Sequence, residues 1–107
     1  MSMPEIYRYA TVDLPLVLSD PSVLNDYSRV VVSFKQGNNL LFHMEDGLGI
    51  DTETGTIDVR LEQSDTAKFS VGEVTIQVNV YLLDTDRIVS STAKMFVHDN
   101  LYRGIIG

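Results

Sequence analysis

"GEVTIQVNVYLLDTDR", Gly72 to Arg87, is the stretch on which the fold turns. Val74, Ile76, Val78, Val80 and Leu82 fall on one side of an extended chain, and Thr75, Gln77, Asn79, Tyr81 and Leu83 on the other. Successive side chains of a strand point to opposite faces, so alternation of this length reads as a strand with one buried and one solvated face. Asp84-Thr85-Asp86 supplies turn residues, and "RIVSSTAKMFV" (87–97) reads as the return strand of a hairpin. In it Ala93, Met95 and Val97 are expected in the core, with Thr92 and Lys94 outward.

The same grammar extends toward the start of the chain. "YSRVVVSFK" (27–35) puts Val30, Val32 and Phe34 on one side. Gly37-Asn38 is a tight-turn pair leading into "NLLFHME" (39–45). Asp46-Gly47 reads as a second hairpin turn, followed by a short strand near Leu48–Asp51. "TETG" (52–55) is a turn, and "TIDVRLE" (56–62) alternates Ile57, Val59 and Leu61 against Asp58, Arg60 and Glu62. "IYRYATVDLPLVLS" (6–19) carries one or two strands, and Pro15, which donates no backbone hydrogen bond, places that segment at a sheet edge or at a break. "DPSVLNDYS" (20–28) fits one helical turn with Asp20 as cap and Pro21 at the first position. "SDTAKF" (64–69) fits a short corner, and the connection 62–73 a crossover between two sheets. The expected fold is all-β: an antiparallel immunoglobulin-like β-sandwich of about seven strands, residues 1–107 forming a single domain. Neither a cysteine pair nor a core tryptophan is present, so the comparison with immunoglobulins is one of architecture.

Composition narrows the chemistry. With no cysteine, disulfides, thiolate metal sites and cysteine nucleophiles are excluded. Fifteen acidic against eight basic residues give a net charge of −7, a field that repels phosphate backbones; no nucleic-acid partner is expected. No apolar run is long enough to span a bilayer as a helix, so no membrane partner is expected. "MSMPEIYRYATVDL" (1–14) lacks a basic region followed by an apolar stretch, so no signal peptide is expected and the protein is placed in the cytoplasm.

Catalytic and metal motifs are weak. "DTETGTIDVRLE" (51–62) is acidic at its first, third and twelfth positions, as in a helix–loop–helix calcium loop. Gly55 stands where a ligand is needed and Thr56 where the turn glycine is needed, and the second half alternates as a strand; a solvated acidic turn is the expected reading. His43 and His98 form a metal pair only if the fold brings them together. Ser90 and Ser91 fall in a strand with no glycine-rich elbow, and the glycines occur singly rather than in a phosphate loop. No catalytic, cofactor or metal site is expected. Tyr81 and Phe96 point outward on adjacent strands and fit an interface as well as burial under a loop. "LYRGIIG" (101–107) is apolar for an acidic chain. Leu101, Tyr102, Ile105 and Ile106 are expected to pack on their own domain or on another subunit, since burying an aliphatic side chain is worth roughly 1.5–3 kcal/mol.

One longer pattern goes beyond these local readings. Leu61, Gln63, Thr66, Phe69, Gly72, Gln77-Val78 and Asn100-Leu101, within residues 55–101, together with "FKQG" (34–37), resemble a recurring pattern in small proteins of tailed bacteriophages and prophages of Gram-positive bacteria. The resemblance implies a non-enzymatic tail, baseplate or other particle component, acting by association with other particle proteins and as a homo-oligomer. It would be found in the host cytoplasm during assembly or in the virion. On the residues alone, Gly72 opens a strand where a positive φ is useful, Phe69 plugs the end of the sandwich, and Thr66 or Ser64 satisfies backbone donors at the corner. A carbohydrate- or peptide-binding module on the same architecture, using Tyr81, Gln77 and Asn79, is the alternative.

Overall fold

A computed structural model describes residues 4–18, 20–83 and 87–101. Among them are eight strands: β1 (Glu5–Tyr7), β2 (Val12–Val17), β3 (Tyr27–Gln36), β4 (Asn39–Met44), β5 (Gly49–Asp51), β6 (Thr56–Leu61), β7 (Gly72–Leu82) and β8 (Ile88–His98). A 3-10 turn over Pro21–Leu24 precedes β3, and a single helical turn, α1 (Gln63–Thr66), follows β6. The fold is all-β, in two sheets. The larger has the order β1-β8-β7-β3-β4 and the smaller β2-β6-β5. Every pairing is antiparallel except β1 with β8, which is parallel.

The inner faces of the two sheets share one core. Val74, Ile76, Val78 and Val80 of β7 are buried, as their alternation requires, against Val30, Val32 and Phe34 of β3. Leu14 and Leu16 of β2 and Ile57, Val59 and Leu61 of β6 close the core from the smaller sheet. Phe34, Phe42 and Phe69 stack at one end, with ring centroids 4.8–5.9 Å apart. Phe69 is 1% exposed and blocks that end of the core. Pro15 sits in β2, an edge strand, where its missing N–H breaks no ladder. Gly37, at φ +60, makes the β3–β4 turn with a backbone that a side chain would strain. Asp20 caps the 3-10 turn, its carboxylate accepting from the Ser22 hydroxyl (2.6 Å) and N–H (3.1 Å). Those bonds hold the Asp20 carboxyl below its usual pKa.

Three expectations need correction. Asp46-Gly47 does not turn a hairpin: β4 belongs to the larger sheet and β5 to the smaller, so this glycine, at φ +73, carries the chain between sheets. Ala93 is exposed rather than in the core, because the three-stranded sheet is narrower than the five-stranded one and covers β8 only around Met95 and Val97. At the corner after β6, Thr66 and Ser64 do not satisfy backbone donors. The Asp65 carboxylate accepts from the Glu62 N–H (3.0 Å), while the buried Thr66 hydroxyl reaches the carbonyls of Ala10 (2.8 Å) and Gln63 (3.3 Å). The start of the chain forms two strands in different sheets, which raises the count from seven to eight. The turn residues Asp84, Thr85 and Asp86 lie outside the described residues.

Thr66 is the one buried polar side chain among the described residues. Thr66→Val keeps its shape but leaves the Ala10 carbonyl without its donor, so urea unfolding should show a loss of about 1–3 kcal/mol. Ser64→Ala, at an exposed position beside it, should stay within about 0.5 kcal/mol of the parent.

Candidate functional site

The chemistry-bearing side chains gather on the outer face of the larger sheet. The register of β8 on β7 places Tyr81 opposite Ile88, Asn79 opposite Ser90, Gln77 opposite Thr92, Thr75 opposite Lys94 and Glu73 opposite Phe96. Strand β3 continues the rows with Arg29 beside Tyr81, Val31 beside Asn79 and Ser33 beside Gln77. His43 of β4 stands next to Ser33.

Each outward aromatic is already engaged. The Arg29 guanidinium lies 5.2 Å from the Tyr81 ring centroid and pairs with the Glu45 carboxylate. Phe96 packs against the His98 ring at 4.9 Å, and His98 against Tyr7 at 5.2 Å. His98 Nε2 is 2.7 Å from the Glu5 carboxylate, which ties β1 to the end of β8. Lys94 pairs with Glu73 at 3.0 Å, and the Ser90 hydroxyl donates to Asn79 Oδ1 at 2.5 Å. The face is therefore polar and balanced in charge. The outer face of the smaller sheet is not: Asp13, Asp51 and Asp58 meet one cation, Arg60, whose pKa is raised by its hydrogen bond to Glu62. The pairing of opposite charges on the larger sheet was invisible in the sequence because its partners come from strands far apart in the chain.

Of the expected interface residues, Tyr81 and Phe96 are half-buried on this face, and Leu101 is fully exposed at the end of the described chain. Tyr102, Ile105 and Ile106 lie outside the described residues. His43 and His98 stand on β4 and β8, separated by β3 and β7, so about 14 Å of sheet lies between them and they cannot share a metal. No group of three or more histidines and carboxylates that could hold a metal occurs among the described residues. Asp51 spends its carboxylate on the turn after β5, accepting from the N–H groups of Glu53 (3.0 Å) and Thr54 (3.3 Å).

A shallow groove of about 350 Å³ runs between the β3–β4 hairpin and residues 68–73. The Gln36 amide bridges it, donating to the Ser70 carbonyl (2.6 Å) and accepting from the Ser70 N–H (2.9 Å). Its charged lining residues are Lys68 and Glu73, the latter paired with Lys94. No helix among the described residues is long and apolar enough to cross a membrane.

The two-sheet all-β class is the level at which known structures speak. No family model matches the chain, and no curated protein matches it. Among solved structures it is similar to the X-ray structure of the endo-beta-1,4-mannanase from Thermotoga petrophila, with a TM-score of 0.61 and 15% identity. The similarity covers 92% of this chain and 18% of that one. The chain thus spans less than a fifth of that enzyme's length, and the likeness is one of fold.

With the Asp51 carboxylate committed to its turn, calcium titration by calorimetry should give no binding isotherm. Micromolar binding that disappears in Asp51→Ala would overturn this assignment.

Proposed function

We propose that the chain is a non-catalytic structural or assembly domain of a phage or prophage particle, a tail or baseplate component that works by protein–protein association. The observation that carries this reading is that the larger sheet has two open edges among the described residues. Among those residues, β1 covers β8 only from Phe96 to His98, and β4 is the last strand on the other side. Unpaired strand edges are the ready-made surface for joining chains.

The resemblance to particle proteins adds support because its residues form one structural unit. Leu61, Thr66, Phe69 and Gly72 line the crossover from β6 through α1 to β7; Leu61, Thr66 and Phe69 are buried and Gly72 has φ +134. The Asn100 amide of the same pattern donates to the Arg8 carbonyl (3.1 Å), beside the Arg8 guanidinium that reaches Ala67 O (3.2 Å). The sheet orders also support an immunoglobulin-like topology. Labelled B to G in chain order, β2 to β8 give B-E-D in one sheet and G-F-C-C′ in the other.

A carbohydrate- or peptide-binding module is the second reading. It is favoured by the likeness to part of an endo-beta-1,4-mannanase and by the Gln77 and Asn79 carboxamides beside Tyr81. Arg29 over the Tyr81 ring weighs against it, since a stacked sugar needs that surface.

Particles purified by density gradient from an induced lysogen that carries the gene should contain the chain, detected by antibody at constant ratio to the other structural proteins. Its absence from both particles and assembly intermediates, with saturable binding to a soluble polysaccharide lost in Tyr81→Ala, would favour the second reading. The same readout tests the tail: a version ending at Asn100 should incorporate less if residues 101–107 dock on a neighbour.

A further inference from the structure

The two edges of the larger sheet match one another. On β8 the Phe96 N–H donates outward to Pro4 O (2.9 Å), and the His98 carbonyl accepts from the Arg8 N–H (3.0 Å). Backbone groups alternate sides along a strand, so Ile88, Ser90, Thr92 and Lys94 present their N–H and C=O groups at the same edge. Among the described residues no strand pairs with them. The side chains of these four stand on the outer face, and all but Lys94 are uncharged.

The alternation carries across the sheet. Strands β8, β7, β3 and β4 are successively antiparallel, and hydrogen-bonded and non-hydrogen-bonded pairs alternate across each row. In the row Thr92–Gln77–Ser33–His43, β8 turns its groups away from β7. Gln77 and Ser33 therefore bond to each other, and His43 turns its own N–H and C=O outward at the β4 edge. Four antiparallel strands thus end in two edges with the same face and the same hydrogen-bonding phase. The strand directions also fit, because β8 runs antiparallel to β4.

We infer that copies of this chain join head to tail into one continuous antiparallel sheet, the Ile88–Ser91 part of the β8 edge in one copy pairing with residues 42–45 at the β4 edge of the next. This deepens the association reading given above. In the register that sets Ser90 opposite His43, Ile88 faces Glu45 and Arg87 faces Asp46, so a cation meets a carboxylate at one end of the seam. On the inner side Val89 meets Met44 and Ser91 meets Phe42. The β-bulge where Leu41 is inserted confines regular pairing to β4 from Phe42 onward. Ile88 and Leu40 are 50% and 63% exposed in the isolated chain, and the seam shelters Ile88 directly. The contact is heterologous, so it builds a ring if the rotation closes and a filament if it does not.

Two prolines test it selectively. The N–H groups of Ser90 and His43 point away from the intramolecular ladders, so Ser90→Pro and His43→Pro disable one edge each without breaking the sheet. By sedimentation velocity the parent should form assemblies larger than a dimer. Each variant alone should be monomeric, with at least about a tenfold weaker association. An equimolar mixture should form a one-to-one heterodimer, because each variant supplies the edge that the other lacks. Circular dichroism and thermal melting check folding. If a proline unfolds the chain, Asp46→Lys and Arg87→Glu replace it: each should weaken assembly, and the double variant should restore it. A parent that stays monomeric, a closed two-fold dimer, or assembly indifferent to both edges would overturn the inference. Recovery of the chain in purified particles is a separate measurement, so the seam can fail while the particle role stands.

Discussion

Strand β7 is the constraint on which the structure rests. Val74, Ile76, Val78 and Val80 must leave water together, and a strand can bury them only by offering all four to one side. That choice forces Thr75, Gln77, Asn79 and Tyr81 to the other side and makes β7 the interior strand between β8 and β3. A one-residue slip against either neighbour would exchange the two sets. The register is therefore held by the core, and every row of the outer face inherits it. The tyrosine–arginine contact, the Lys94–Glu73 pair and the direction of each edge N–H all follow from where those four side chains went.

The smaller sheet contributes less surface but decides where the core stops. It covers β3, β7 and the far half of β8, and leaves the near half of β8 with Ala93 exposed. A strand that is well paired on one side and bare on the other is stable within the domain and reactive at its border. Proteins commonly blunt such borders with proline, charge or a bulge. Here β2 has Pro15 and Asp13, and β4 has its bulge, whereas β8 has only Lys94 along Ile88–Lys94. The edge with the least protection belongs to the same sheet whose outer face has its charges paired off. The net negative charge lies outside the strands of that sheet, whose own charged residues are Glu5, Arg29, Lys35, Glu73 and Lys94.

Much of the architecture was legible in the residues. Period-two alternation marked β3, β6, β7 and β8, because burial of one face imposes that period directly on the sequence. Pro15 marked an edge, and Asp20 before Pro21 marked the helical turn, because Pro15 acts through its own backbone and the Asp20 carboxylate through the N–H two residues on. The Asp46-Gly47 reading failed because a positive-φ glycine permits a reversal without specifying which sheet the chain enters next. The Thr66 reading identified the residue but not its partners, since the Ala10 carbonyl is 56 residues away in the chain.

The sequence by itself determined that this chain is a β protein with one apolar face per strand, without cysteine chemistry, and acidic overall. Those properties are local or additive, so composition and spacing carry them. Only the tertiary structure decided that β1 runs parallel to β8 and stops after three residues, that His43 and His98 stand apart, and that the larger sheet ends in two edges of matching phase. Each depends on which strands become neighbours. That order is set by packing both sheets on one core, and no residue encodes it alone.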